Sequence, residues 1–130
     1  MKSMTIDVRS SAREEIQLIT EPIERALRDA RIAEGLCTIY TPHTTAAITI
    51  NEDADPDVRT DLIAAFRAMV PSVRFRHAEG NSDAHLLSAL IGVSVSVPCR
   101  SGRLLLGRWQ GVYFVELDGP RRREVSLHVV

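Results

Sequence analysis

The sequence predicts an α+β fold, a mainly antiparallel β-sheet or sandwich with two longer helices and one short helix. Three observations point there. Segments rich in β-branched residues open and close the chain, and segments with helical apolar spacing lie in blocks between them. The strand-like segments of the last third are joined by turns rather than by helix-length crossovers. With 45% hydrophobic and 25% charged residues, 130 residues suffice for one domain, 1–130, with a core that needs no disulfide staples.

Thr5 to Val8 and Glu15 to Leu18 read as short opening strands. Thr20 is placed to cap a first helix that carries Pro22 in its first turn, where the missing N–H costs little. Ile19, Ile23, Ala26, Leu27 and Ala30 share one face of that helix, and Gly35 stands where it would end. Residues 36–51, LCTIYTPHTTAAITIN, hold no charge and many β-branched side chains, a strand composition interrupted by Pro42. Beyond Pro42, Ala46, Ile48 and Ile50 form a core face, while His43, Thr45, Thr49 and Asn51 form the other. That second face is polar without charge, which suits a site or an interface better than bulk solvent.

Asp55 caps a second helix started by Pro56, with Val58, Leu62, Ala65, Phe66 and Met69 as its buried stripe and Pro71 as its stop. After the loop RFRHAEGNSDAHL comes a short third helix over 82–91, ended by Gly92, with Leu86, Leu87, Leu90 and Ile91 as its apolar face. His85 points away from that face beside Ser88 and Ala89, and so small a surface invites close approach by another element. VSVSV places its valines inward and Ser94 and Ser96 outward. Arg100-Ser101-Gly102 then turns the chain into a return strand at 103–106. Val112 to Leu117 and Val125 to Val130 are two further strands, joined by DGPRRRE.

Several function classes are disfavoured by the totals. A net charge of -1 gives no broad positive field for nucleic acid, and Arg121 to Arg123 is the one local basic run. No segment approaches the roughly 18 apolar residues of a membrane span, and MKSMTIDVRS lacks the apolar core of a signal peptide. Cys37 and Cys99 lie in apolar, strand-like surroundings and are expected as reduced core residues of a cytoplasmic protein.

The residues that bear chemistry are mostly histidines. His43 follows a proline on the polar strand face, His77 opens HAEGN, and His85 lies on the non-core helix face. His77 and His85 flank a glycine loop that can bring their rings together. Three neutral imidazoles with an open fourth position would hold a divalent metal, zinc by preference, which polarises substrate or lowers the pKa of bound water to about 7. The alternative is that each ring merely hydrogen-bonds near a loop. His128, on the closing strand, is expected to be structural or exposed.

Among the carboxylates, Asp57 sits in a helical first turn where the macrodipole favours it, and Glu52 is either a base facing the cavity of His43 or part of a solvated turn. Glu79-Gly80-Asn81 is a turn needing positive φ at glycine, with Asn81 or Ser82 as N-cap and a helix start behind it that can receive an anion. Glu116 interrupts an apolar strand and needs a cationic partner, Arg121 or Arg122. Trp109 reads as core, and Gln110 as a satisfied amide or a contact to a polar ligand. The arginine run is either a solvated turn or a bidentate phosphate contact.

Three stretches carry a resemblance: TPHTTAAITINEDADPDVRTDL, HAEGNSDAHLLSALIG and SVPCRSGRLLLGRWQGVYFVELDGPRRREV. In order and spacing, nearly end to end, they resemble the YjbQ-like family, of secondary thiamine-phosphate-synthase type. The resemblance implies a compact α+β protein, a homotrimer, and an enzyme acting on a small phosphorylated or heterocyclic substrate, either a thiamine-phosphate synthase-like transferase or a metal-assisted hydrolase. By the same resemblance His43, His77 and His85 are metal-site candidates, with Asn51, Glu52, Asp57, Asn81, Gln110 and Glu116 as further site candidates. Cys99 and Arg108 depart from the family pattern, which commonly has an aliphatic residue and a small threonine there. Without catalysis, the chain would be an anion- or metabolite-binding protein, or a structural trimer.

Overall fold

The computed structural model describes residues 1–130. Eight strands and three helices follow one another as β1 (Lys2–Arg9), β2 (Glu15–Leu18), α1 (Thr20–Asp29), β3 (Glu34–Tyr40), β4 (Ala46–Glu52), α2 (Pro56–Met69), α3 (Ser82–Ile91), β5 (Ser94–Arg100), β6 (Arg103–Leu104), β7 (Gln110–Glu116) and β8 (Arg122–Val129). The fold is α+β, as the sequence predicts. All strand pairings are antiparallel, in a five-stranded sheet ordered β1-β8-β3-β5-β6 and a three-stranded sheet ordered β2-β7-β4.

The two sheets pack face to face. Ile39, Val97 and Leu127 of the larger sheet meet Ile48, Val112 and Phe114 of the smaller one, and α1 adds Ile23 and Leu27 to the same core. The other face of the small sheet is also covered. Ala47, Tyr113 and Val115 pack there against Ala84 and Leu87 of α3, with Leu62, Ile63 and Phe66 of α2 at the margin. Two covered faces explain why every residue from Gly111 to Leu117 is buried. They also revise the reading of residues 46–51: the face opposite Ile48 is largely a floor for α3.

Local chemistry sets the boundaries. Asp55 accepts from the Asp57 N–H at 2.9 Å and Pro56 opens α2, as expected. Gly92 closes α3 at φ 100, and Gly80 takes φ 78 before it. Ser101 and Gly102, at φ 52 and 72, make the tight turn between β5 and β6, although the returning strand stops at Leu104.

Other expectations need correction. Thr20 does not cap α1: its hydroxyl accepts from Val112 N–H at 3.0 Å, prolonging the β2–β7 contact, and Ile19 holds the cap position. Gly35 does not end α1, which stops at Asp29. It lies in β3, where a Cβ would meet the Val130 oxygen at 2.6 Å. No residue of α2 is fully buried and Met69 is 60% exposed, because this helix rests only on the smaller cluster. α3 is rotated from the expected orientation, with Ala84, Leu87 and Ser88 against the sheet and Leu90 in solvent. Close approach at its small residues does occur: the Ser88 hydroxyl donates to the Ala46 carbonyl at 2.7 Å. Trp109 is exposed, with the Arg108 guanidinium stacked 4.8 Å from its ring centre.

Candidate functional site

A cleft of about 920 Å³ opens where the β3–β4 connection, the start of α3 and the β7–β8 turn come together. Its thirteen lining residues include no hydrophobic one. His43, His77 and His85 all line it, with Glu79, Asn81, Asp118, Arg13, Arg121 and Arg123 among the others. The sequence-predicted histidines thus share one cavity, although they stand 34 and 8 positions apart in the chain. His128 is elsewhere, its Nδ1 2.9 Å from the Ser3 hydroxyl.

The three rings are differently held. His77 and His85 lie edge to face, with ring centres 5.5 Å apart and planes at 76°. His77 is on the exposed loop before α3, with Glu79 3.8 Å from its Nε2. His43 is fixed by the backbone: its Nε2 accepts from Glu124 N–H at 2.9 Å. An N–H can only donate, so the neutral ring carries its proton on Nδ1 and is held as a donor. Burial lowers the His43 pKa below the usual imidazole value, and the positive charge of Arg123 adds to that, opposed by Glu116 and Glu124.

This bond bears on the metal expectation. A ring whose Nε2 is engaged and whose Nδ1 is protonated has no lone pair to give an ion. No group of three or more His, Cys, Asp or Glu side chains is gathered to hold one. In this arrangement the three rings do not fit a three-histidine metal centre, because His43 would first have to release Glu124.

Behind the cleft lies a buried polar network. Glu116, wholly buried at the end of β7, is paired with Arg123 rather than Arg121 or Arg122. Arg123 Nε donates to both carboxylate oxygens, at 2.9 and 3.1 Å, and its Nη2 reaches the Thr45 hydroxyl at 2.9 Å. Ser10 donates to Glu116 at 2.6 Å. Burial alone would raise the Glu116 pKa, but the bonds from Arg123, Ser10 and the Asp118 N–H outweigh it and hold the carboxyl below its ordinary value. Glu116 is therefore a fixed anion that positions Arg123.

The outer cations are less encumbered. Arg13 holds Asp83 through Nη2 at 3.2 Å, and Arg121 holds Asp118 at 3.1 Å, yet each arginine side chain is about half exposed. Both keep further N–H donors for an anion. The N-terminus of α3 adds to them, since Asn81 makes no side-chain capping bond there. Its amide instead donates to Asp118 at 2.9 Å, and its Oδ1 is buried without a partner.

The remaining candidates lie at the other end of the β4–β7 ladder. Ala46 pairs with Glu116 near the cleft, whereas Asn51 pairs with Gly111 and Glu52 with Gln110. Six ladder steps separate the two ends, about 20 Å at a strand's rise per residue. Gln110 folds back to accept from Gly107 N–H at 2.8 Å, Asn51 accepts from Glu52 N–H, and Asp57 sits exposed in the first turn of α2. In a single chain none of these four meets the histidines. Arg13 and Asp118, in contrast, were not singled out from the sequence. Nothing local marks Arg13, which is brought in by the link between β1 and β2.

Fold and cleft together define a small α+β protein with a polar site lined by imidazoles and guanidiniums. The chain belongs to the UPF0047 protein YjbQ-like family, whose model matches residues 4–130. It is 46% identical over 128 residues to the UPF0047 protein YugU of Bacillus subtilis, covering 97% of each chain. It is 45% identical over 124 residues to a UPF0047 protein of Methanocaldococcus jannaschii, covering 95% of this chain and 90% of that one. An uncharacterized conserved protein of the same family from Clostridium acetobutylicum superposes with a TM-score of 0.91 at 38% identity, covering 98% of this chain and 99% of that one. A hypothetical protein from Aeropyrum pernix gives 0.93 at 36%, covering 100% and 98%.

Proposed function

We propose that this protein is a small enzyme that binds a phosphorylated small molecule in the histidine cleft and moves a proton on it. The observation that carries the reading is the convergence of three imidazoles and three guanidiniums on a cavity with no hydrophobic lining. Arg13, Arg121 and the start of α3 receive the phosphate, His43 donates through Nδ1, and the adjacent His77 and His85 exchange the proton. The thiamine-phosphate synthase chemistry implied by the sequence resemblance is a group transfer that releases pyrophosphate rather than a proton transfer, and the same cations would hold its phosphates. A non-catalytic anion-binding protein would use the same cations without the proton transfer.

The test is a panel of organic phosphates, screened by thermal shift and then for turnover. Binding depends on Arg13 and Arg121. Replacing His85 with Gln lowers turnover by about 10²- to 10⁴-fold, the usual worth of a general acid or base, while phosphate still binds. Binding without turnover of any member, or turnover indifferent to His85, contradicts the enzyme.

Zinc is a second proposal. The adjacency of His77 and His85 favours it and the bond held by His43 opposes it. Metal analysis of wild-type protein and of His77→Ala decides it. A homotrimer is proposed on the sequence resemblance, supported by the exposed Met69 and Leu90, which border one mainly apolar groove with Leu62, Phe66 and Ile91. A monomeric mass in solution would dismiss it. No helix is long and apolar enough to cross a membrane, and two free, buried cysteines suit the reducing cytoplasm we propose for it.

A further inference from the structure

The cleft continues into a second, smaller cavity of about 310 Å³. His43, His85, Pro42 and Thr44 line both. The large lobe has no hydrophobic wall, whereas the small one is bounded by Tyr40, Ala89 and Val93. Two hydroxyls there are already engaged. Ser88 donates to the Ala46 carbonyl, and Thr41 accepts from the His43 N–H at 3.5 Å. Beyond the shared histidines, what the small lobe still offers a polar ligand is hydroxyls alone, those of Tyr40 and Thr44 and the donor side of Thr41, with no charged side chain or amide.

Helix α3 runs along both lobes. Asn81, at its start, lines the large lobe, His85 lines both, and Ala89, one turn beyond His85, lines the small lobe. Asn81 to Ala89 spans about 12 Å of helix axis at 1.5 Å per residue. Phosphate-binding groups thus occupy one end, the apolar surface the other, and two imidazoles the junction.

We infer that the ligand is bipartite: an organic phosphate ester whose anionic part fills the large lobe and whose compact apolar group, of about one ring, enters the small lobe. His43 and His85 then flank the bond between the parts. This rests on the phosphate reading above and adds the class of the esterified group.

Titration calorimetry with inorganic phosphate and with phenyl phosphate tests it. Phenyl phosphate binds at least tenfold more tightly to the wild type. Ala89→Trp, a change at an exposed helical position, fills the small lobe and abolishes that advantage while inorganic phosphate binds as before. Tyr40→Ala, which removes a wall without filling the lobe, reduces the advantage several-fold. Equal affinity for the two probes, or an advantage that survives both substitutions, overturns the inference and leaves the phosphate reading standing. If inorganic phosphate does not bind at all, the phosphate reading falls and this inference falls with it.

Discussion

The guanidinium of Arg123 grips the carboxylate of Glu116 inside the protein, Nε lying 2.9 and 3.1 Å from its two oxygens, with 3% and 0% of the two side chains exposed. Glu116 ends β7, Arg123 lies near the start of β8, and Thr45 joins them from the approach to β4. One ion pair thus ties together three segments bordering the cleft. Removing one member leaves the other charge buried and unpaired, so Glu116→Ala should cost about 3–5 kcal/mol of unfolding free energy. Urea denaturation measures this, and a loss below about 1 kcal/mol, the worth of an exposed pair, would contradict it.

The same pair gives stability a defined dependence on acid. The folded Glu116 pKa lies below the unfolded value, so the folded state favours the ionised form. Its contribution is complete above the ordinary carboxylate range and is lost as pH falls through that range towards the folded pKa. Glu116→Gln should be less stable than wild type at pH 7, and the difference should shrink on acidification. Melting curves between neutral pH and pH 3 report it; a gap that widens in acid would be the wrong sign.

His43 titrates below the ordinary imidazole value. Burial and Arg123 disfavour its charged form, and protonation at Nε2 would set two N–H groups against each other at Glu124. The folded pKa is depressed, so His43 favours the folded state above the unfolded value of 6.5, a contribution lost as pH falls below it. Nitrogen-resolved NMR should find His43 with its proton on Nδ1 at pH 7 and a midpoint below 6.5. A midpoint above that value would contradict this assignment.

Gly35 is required for space. A Cβ at this position would lie 2.6 Å from the Val130 oxygen and 2.7 Å from Val129 Cγ1, both closer than such contacts occur. Gly35→Ala should therefore destabilise the protein by about 1–3 kcal/mol, as overpacking does. A neutral change in thermal denaturation would show that the chain terminus yields freely.

Much of the fold was legible because its signals are local. Asp55-Pro56 marks a helix start, Gly92 an end, and the valines of β5 alternate against its serines. The histidine cleft was legible in part. The small residues beside His85 implied close approach, and a turn at Gly80 was expected to bring His77 near it. What escaped depends on contacts distant in sequence. The alternation beyond Pro42 marks two faces but cannot reveal that α3 covers the second. Arg121, Arg122 and Arg123 are equivalent in composition, and only the register of β8 against β1, with Arg123 opposite Val8, turns Arg123 inward to Glu116. Glu52 follows the strand of His43 in sequence, yet strand length places the two at opposite ends of the ladder.

The central claim is that His43, His77 and His85 surround one ligand. Histidine-ring NMR during titration with inorganic phosphate tests it most directly, with His128, which does not line the cleft, as the internal reference. The account predicts that the three cleft rings shift along one saturation curve while His128 stays still. If the cleft rings are unmoved, or follow separate curves, the shared site is contradicted.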